Sequence, residues 1–137
     1  MAAEIVFPNT VPPFFPTGAL ITYPPTNRPD YERRLEGVRT HNRWLKDWCA
    51  AHPERRCGLP QVFVFDLDDT IADLELAAEN GHSSSMLPAV PPDSGMPGLY
   101  DPVYDRLWAA CRDLALTSTH TGGSGNPNYG HTTAHRR

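Results

Sequence analysis

Residues 61–70 read Gln61-Val62-Phe63-Val64-Phe65-Asp66-Leu67-Asp68-Asp69-Thr70, an apolar run that ends on three carboxylates and a hydroxyl. Val62 to Phe65 carry the β-branched and aromatic side chains of a strand covered on both faces, as in a parallel sheet flanked by helices. Ligands in such sheets bind beyond the carboxyl ends of the strands. Asp66 and Asp68, two positions apart at that edge, repel each other unless a hard cation such as Mg²⁺ lies between them. The spacing therefore points to metal-assisted chemistry. A calcium loop starting at Asp66 would need Gly at its sixth position and Glu at its twelfth, where Ile71 and Ala77 stand. The non-catalytic alternative is a buried strand that meets an acidic, solvated turn.

Upstream, Gly58-Leu59-Pro60 turns the chain into this strand. From Asp30 to Ala51 the residues Tyr31, Leu35, Val38, Asn42, Leu45 and Trp48 or Cys49 recur at helical spacing, and Pro53 stops the helix. Trp44 and Trp48, one turn apart, read as core or packing residues. Downstream, residues 71–79 have high helix propensity and end at Asn80-Gly81, a stop signal. Residues 81–100, rich in Gly, Ser and Pro, read as a loop. Asp101 as N-cap and Pro102 at the first helical position start a second helix, with Val103, Leu107, Cys111 and Leu114 as its buried stripe. Residues 114–118 then read as a second strand, parallel and adjacent to Val62–Phe65, the beginning of a doubly wound α/β sheet.

With 137 residues the chain can bury one modest core. Many of its fifteen prolines lie in the first thirty residues and between Pro88 and Pro102. The expected organisation is a Pro-rich flexible arm over 1–29, a domain over 30–118 containing the 81–100 loop, and a disordered tail over 119–137. The arm, with Phe14 and Phe15 in polyproline-prone sequence, reads first as a tether or a segment packing loosely on its own domain, and alternatively as a ligand for a protein partner's aromatic groove. Net charge is −4. Between Arg28 and Arg56 basic residues prevail, but Glu32, Glu36 and Asp47 dilute them, so a solvated helix face is expected rather than a nucleic-acid surface. No signal peptide or membrane span is read in the sequence. Three cysteines without a pairing pattern suit a reducing compartment, cytoplasmic or nuclear. Cys49, His52 and Cys57 match no common zinc spacing.

The 61–70 stretch resembles motif I of the haloacid dehalogenase (HAD) superfamily, an apolar strand followed by Asp-x-Asp-x-Thr. The resemblance implies a HAD-like, Rossmannoid parallel sheet with flanking helices, here only in part. It also implies an Mg²⁺-dependent phosphatase working through an aspartyl-phosphate. By position, Asp66 would be the nucleophile and a metal ligand. Asp68 would protonate the leaving group and give the metal its carbonyl, and Thr70 would brace the turn. Thr117 and Ser118 would be the motif II residues that bind the phosphoryl group. Asp66-Leu67-Asp68-Asp69-Thr70 and Gly125-Asn126-Pro127-Asn128-Tyr129 are also similar to elements of the carboxy-terminal-domain (CTD) phosphatases, the NLI-interacting-factor-like family. That similarity implies a phosphoserine protein substrate; otherwise a small phosphate ester is expected.

The family's motif III cation and motif IV carboxylates have no counterpart after Thr119, so the site is expected to be incomplete in this chain. Lys46 is the only lysine and lies upstream. Two functions therefore stand as expectations: a HAD-type phosphatase, or a non-catalytic interaction protein that uses the Pro-rich arm and the Trp-bearing helix.

Overall fold

A computed structural model describes residues 3–7, 25–88 and 95–119. The chain alternates short strands with helices: β1 (Glu4–Val6), α1 (Arg28–Ala50), β2 (Arg56–Gly58), α2 (Leu67–Glu79), β3 (Ser84–Met86), α3 (Asp105–Asp113) and β4 (Thr117–Thr119). A 3-10 turn, Pro102–Tyr104, leads into α3. Among the described residues all the pairing is parallel. β1 pairs with β2, Ile5 opposite Cys57, and β3 pairs with β4, Ser85 opposite Ser118. A parallel bridge between Gln61 and Met86 links the two pairs. It is made by Val62 N–H donating to the Met86 carbonyl at 3.2 Å and Met86 N–H donating to the Pro60 carbonyl at 2.8 Å. The two two-stranded sheets are thus tied by a single bridge from the segment just after β2, and each strand is joined to the next by a helix, as α/β crossovers require.

The expected α/β class with parallel strands and flanking helices is what the chain adopts. The expected strand neighbours are not. Val62–Phe65 is no strand, and β3, inside the expected 81–100 loop, separates this segment from β4. The cause is local. The Phe63 carbonyl, which a ladder would need, is taken by the Phe65 N–H at 2.8 Å and the Thr70 hydroxyl at 3.0 Å. The apolar run serves the core instead. Val62 and Val64 pack with Leu74, Leu87, Tyr104 and Leu107, whereas Phe63 joins Tyr31 and Leu35 of α1.

Residues 114–116 are likewise not strand, because they form the end of α3. Leu116 N–H donates to the Cys111 carbonyl at 2.8 Å and Ala115 N–H to the Arg112 carbonyl at 3.1 Å, the two bonds of a Schellman terminator. Ala115 sits at the left-handed position with φ 54°. The same terminator closes α2, with Gly81 at φ 80° and His82 N–H donating to the Ala77 carbonyl at 3.1 Å. In both cases a strand follows.

The region expected as a flexible arm supplies β1 and the first turn of α1, where Asn27 caps the helix by accepting from Asp30 N–H. Residues 8–24 of that arm, 89–94 of the expected loop and the expected tail from 120 lie outside the described residues. The buried stripe of α1 is Tyr31, Leu35, Val38, Leu45 and Cys49. Asn42 on the same stripe clamps the Gln61 backbone, donating to its carbonyl at 2.7 Å and accepting from its N–H at 2.9 Å. Trp44 corrects the expectation of a core residue, being 52% exposed. It stacks on Trp48 along the outer face of α1, and Arg56 lies 3.9 Å over the Trp48 ring. No helix among the described residues is long and apolar enough to cross a membrane.

Candidate functional site

The N-terminus of α2 follows the β2 segment, so the acidic motif does lie on the side where parallel α/β folds place their ligands. Its groups, however, are already engaged. Asp66 is the N-cap of α2, with φ −121° and ψ 119°, and its Oδ1 accepts from the N–H groups of Asp68 at 3.0 Å and Asp69 at 3.3 Å. Both bonds satisfy helix donors that would otherwise have no partner. Asp68 and Asp69 stand in the first turn, where the helix dipole favours negative charge.

Asp68 is exposed and accepts from Arg106 Nη2 at 2.7 Å. Thr70, fully buried, directs its hydroxyl at the carbonyls of Asp66, 2.6 Å away, and Phe63. It thus braces the turn into α2. Asp66, Asp68 and Thr70 are together in this turn. Thr117 and Ser118 open β4, in register with Ser84 and Ser85, whereas Asp66 follows Gln61, which bridges to Met86 at the end of β3. Among the described residues no group of three or more His, Cys, Asp or Glu is arranged to hold a metal ion.

A second constellation, absent from the sequence reading, joins α1 to α2. Asp69 and Asp73 are one turn apart, so one guanidinium reaches both. Arg39 donates through Nη2 to Asp69 at 3.1 Å and through Nε to Asp73 at 2.7 Å. The Tyr31 hydroxyl donates to the other oxygen of Asp69 at 2.5 Å. This bond, followed by Arg39, holds the Asp69 carboxyl below its usual range. Burial pushes the Asp73 carboxyl up, against the opposing pull of Arg39. Asp73 is 7% exposed and its Oδ2 has no hydrogen-bond partner. The four-residue spacing of Asp69 and Asp73 was the available signal; the partner on α1 could come only from packing.

Tyr31 stacks on Phe63, ring centroids 5.6 Å apart, and Phe65 leans on Tyr31 at 5.4 Å while remaining 46% exposed. Aromatic surface therefore stands beside the acidic turn.

No family model matches the chain, and no curated protein matches it. Solved structures similar to it include 2,6-dihydroxybenzoate decarboxylase from Rhizobium and 2,6-dihydroxybenzoate decarboxylase complexed with 2,6-dihydroxybenzoate. In each comparison the TM-score is 0.56 and the sequence identity 20%, over 64% of this chain and 28% of that chain. The chain thus spans little more than a quarter of the decarboxylase, and the likeness is one of fold. It overturns the expectation of an Mg²⁺-dependent phosphatase acting through an aspartyl-phosphate. The geometry gives the physical reason why the motif misled: Asp66 caps a helix and Asp68 makes a surface ion pair.

Proposed function

We propose that this chain is an arc of a (β/α)-barrel enzyme related to decarboxylases, acting on a carboxylated aromatic substrate. The observation that carries this reading is the parallel pairing of β1 with β2 and of β3 with β4, with a helix between each strand and the next. That is how a barrel is wound, whereas a doubly wound sheet reverses its strand order at a switch point. The likeness to a part of 2,6-dihydroxybenzoate decarboxylase supports it.

Barrel enzymes collect their chemistry at the carboxyl ends of the strands. In the sequence, the residues that follow the four strands are Phe7, Leu59, Leu87 and His120. Phe7 is partly exposed and apolar, suited to a ring face. His120, outside the described residues, is the one among these four with acid–base chemistry near neutral pH. Decarboxylation breaks the bond between ring carbon and carboxylate. Carbon dioxide leaves, the electron pair stays on the ring, and a general acid returns a proton to that carbon.

The test is to incubate the protein carrying this sequence with 2,6-dihydroxybenzoate and related hydroxybenzoates, following carbon dioxide release and loss of the carboxylated ring. Consumption that is lost in His120→Ala and retained in Asp66→Asn is expected. Phosphate ester hydrolysis that depends on Asp66, with no carboxylate consumed, would overturn the reading.

A further inference from the structure

Two adjoining cavities, of about 300 and 460 Å³, lie between the C-terminal halves of α1 and α2 and share Lys46, Asn80 and His82. Because α2 leads away from the carboxyl ends of the strands, its last turn and His82, just before β3, are at the opposite end of the fold from the proposed chemistry. We propose that this cleft is a separate binding site for a small amphipathic carboxylate, one negative head on a short apolar body.

The charge of the lining makes the case. Asp73 is the only acidic side chain among the residues around both cavities, and Arg39 already holds it. Arg43 and Lys46 remain, on a chain whose net charge is −4, whereas Arg56 is held by Glu4 at 3.4 Å and by the Trp48 carbonyl at 2.8 Å. Lys46 has no ion-pair partner among the described residues and sits where the cavities meet. Arg43 pairs with Glu36 at 2.7 Å, but both side chains are more than half exposed, so the pair is weak and the guanidinium can turn to a ligand at small cost. Beneath this cationic rim lie Pro60, Leu76 and Ala77, an apolar wall. Asn42 is committed to the Gln61 backbone and keeps that wall in place. The smaller volume is at the lower end of the range for small-molecule sites, which suits a compact ligand. An anion without an apolar body would leave the wall wet.

The experiment uses the 137-residue chain and reads binding, so it is independent of any catalytic assay. Hexanoate, benzoate and inorganic phosphate are titrated by calorimetry and by amide chemical shifts. Hexanoate and benzoate are expected to bind, with shifts concentrated around Lys46, Leu76 and His82, and phosphate to bind more weakly. Lys46→Ala, at an exposed position, should weaken carboxylate binding about tenfold, and Lys46→Arg should restore most of it. Carboxylate affinity unchanged in Lys46→Ala, no binding by the native chain, or phosphate binding as tightly as hexanoate would each overturn the proposal.

Discussion

Arg39 on α1 donates from Nε to Asp73 Oδ1 on α2 at 2.7 Å, so a carboxylate with almost no solvent access is answered by a guanidinium only one-third exposed. Removing the cation should therefore cost more than removing the charge it answers. Arg39→Ala leaves a buried carboxylate unpaired and is expected to destabilise by about 2–3 kcal/mol, the low end for a broken buried pair because Arg39 still sees water. Asp73→Asn should cost less. The folded pKa of Asp73 is raised, so its contribution to stability is fully present below the ordinary carboxylate range and is lost as pH rises through the folded value. Without Arg39 that window widens upward, so the deficit of Arg39→Ala should grow from pH 4 to pH 7 in urea titrations.

Asp69 behaves with the opposite sign. Its carboxyl is held low, first by the Tyr31 hydroxyl and then by Arg39, so its contribution is present above the ordinary carboxylate range and disappears as pH falls through the folded value. Tyr31→Phe should cost about 1 kcal/mol at pH 7, a hydrogen bond to a charged group discounted for partial exposure. Native and variant stabilities are expected to converge in acid. A deficit independent of pH would show that the Tyr31 hydroxyl contributes through something other than the ionised Asp69 carboxylate.

Thr70→Val retains the shape of the side chain and removes the hydroxyl that faces two carbonyls. The loss is expected at about 1–2 kcal/mol, seen as a fall in Tm, whereas Thr70→Ser should keep more of the brace.

The role of Asp66 as a helix cap predicts a ranking that a nucleophile would not give. Asp66→Ala should destabilise by about 1 kcal/mol, and Asp66→Asn, which still accepts from the first-turn N–H groups, by a few tenths. Thermal melts of the two variants check this. Equal losses would mean that the negative charge at the dipole, rather than the hydrogen bonds, is what matters.

The paired terminators of α2 and α3 predict opposite signs for two substitutions. Ala115 adopts a left-handed conformation that costs an L-residue about 1–2 kcal/mol, and Gly81 adopts nearly the same one freely. Ala115→Gly is therefore expected to raise stability by about 1 kcal/mol, reduced somewhat by the freedom glycine has when unfolded. Gly81→Ala should lower it, as no neighbour lies within 4 Å of the added methyl and only φ is at issue. Denaturant titration distinguishes the two signs.

Helices were the legible part of this sequence. The stripe from Tyr31 to Cys49, the stop at Asn80-Gly81 and the Asp101-Pro102 start all appear in the structure, since caps and 3.6-residue periodicity are local signals. Strands were not legible, because three-residue strands are too short to show a period. β3 is Ser84-Ser85-Met86, with no β-branched or aromatic residue, and it is buried by its neighbours rather than by its own hydrophobicity. Val62–Phe65 had every local feature of a strand but lost a ladder acceptor to Thr70. The same ambiguity misled the functional reading. A carboxylate, a second carboxylate and a Thr four residues on from the first describe a phosphatase motif and a capped helix start equally well, and only the hydrogen bonds of Asp66 and Thr70 separate them.

The order in which the strands lie also determines how the chain can assemble. The bridge from Gln61 to Met86 closes the shortest loop, the β3–β4 pair a longer one and the β1–β2 pair the longest, so the entropic cost of closure rises in that order. The centre of the chain, from α2 to β4, should consolidate first, with the N-terminal strand joining last onto an edge that already exists. In native-state hydrogen exchange, the Glu4–Val6 amides should then open well before those of Met86. The same late-docking strand would be the first to detach under load, leaving the β2 edge open to another extended segment.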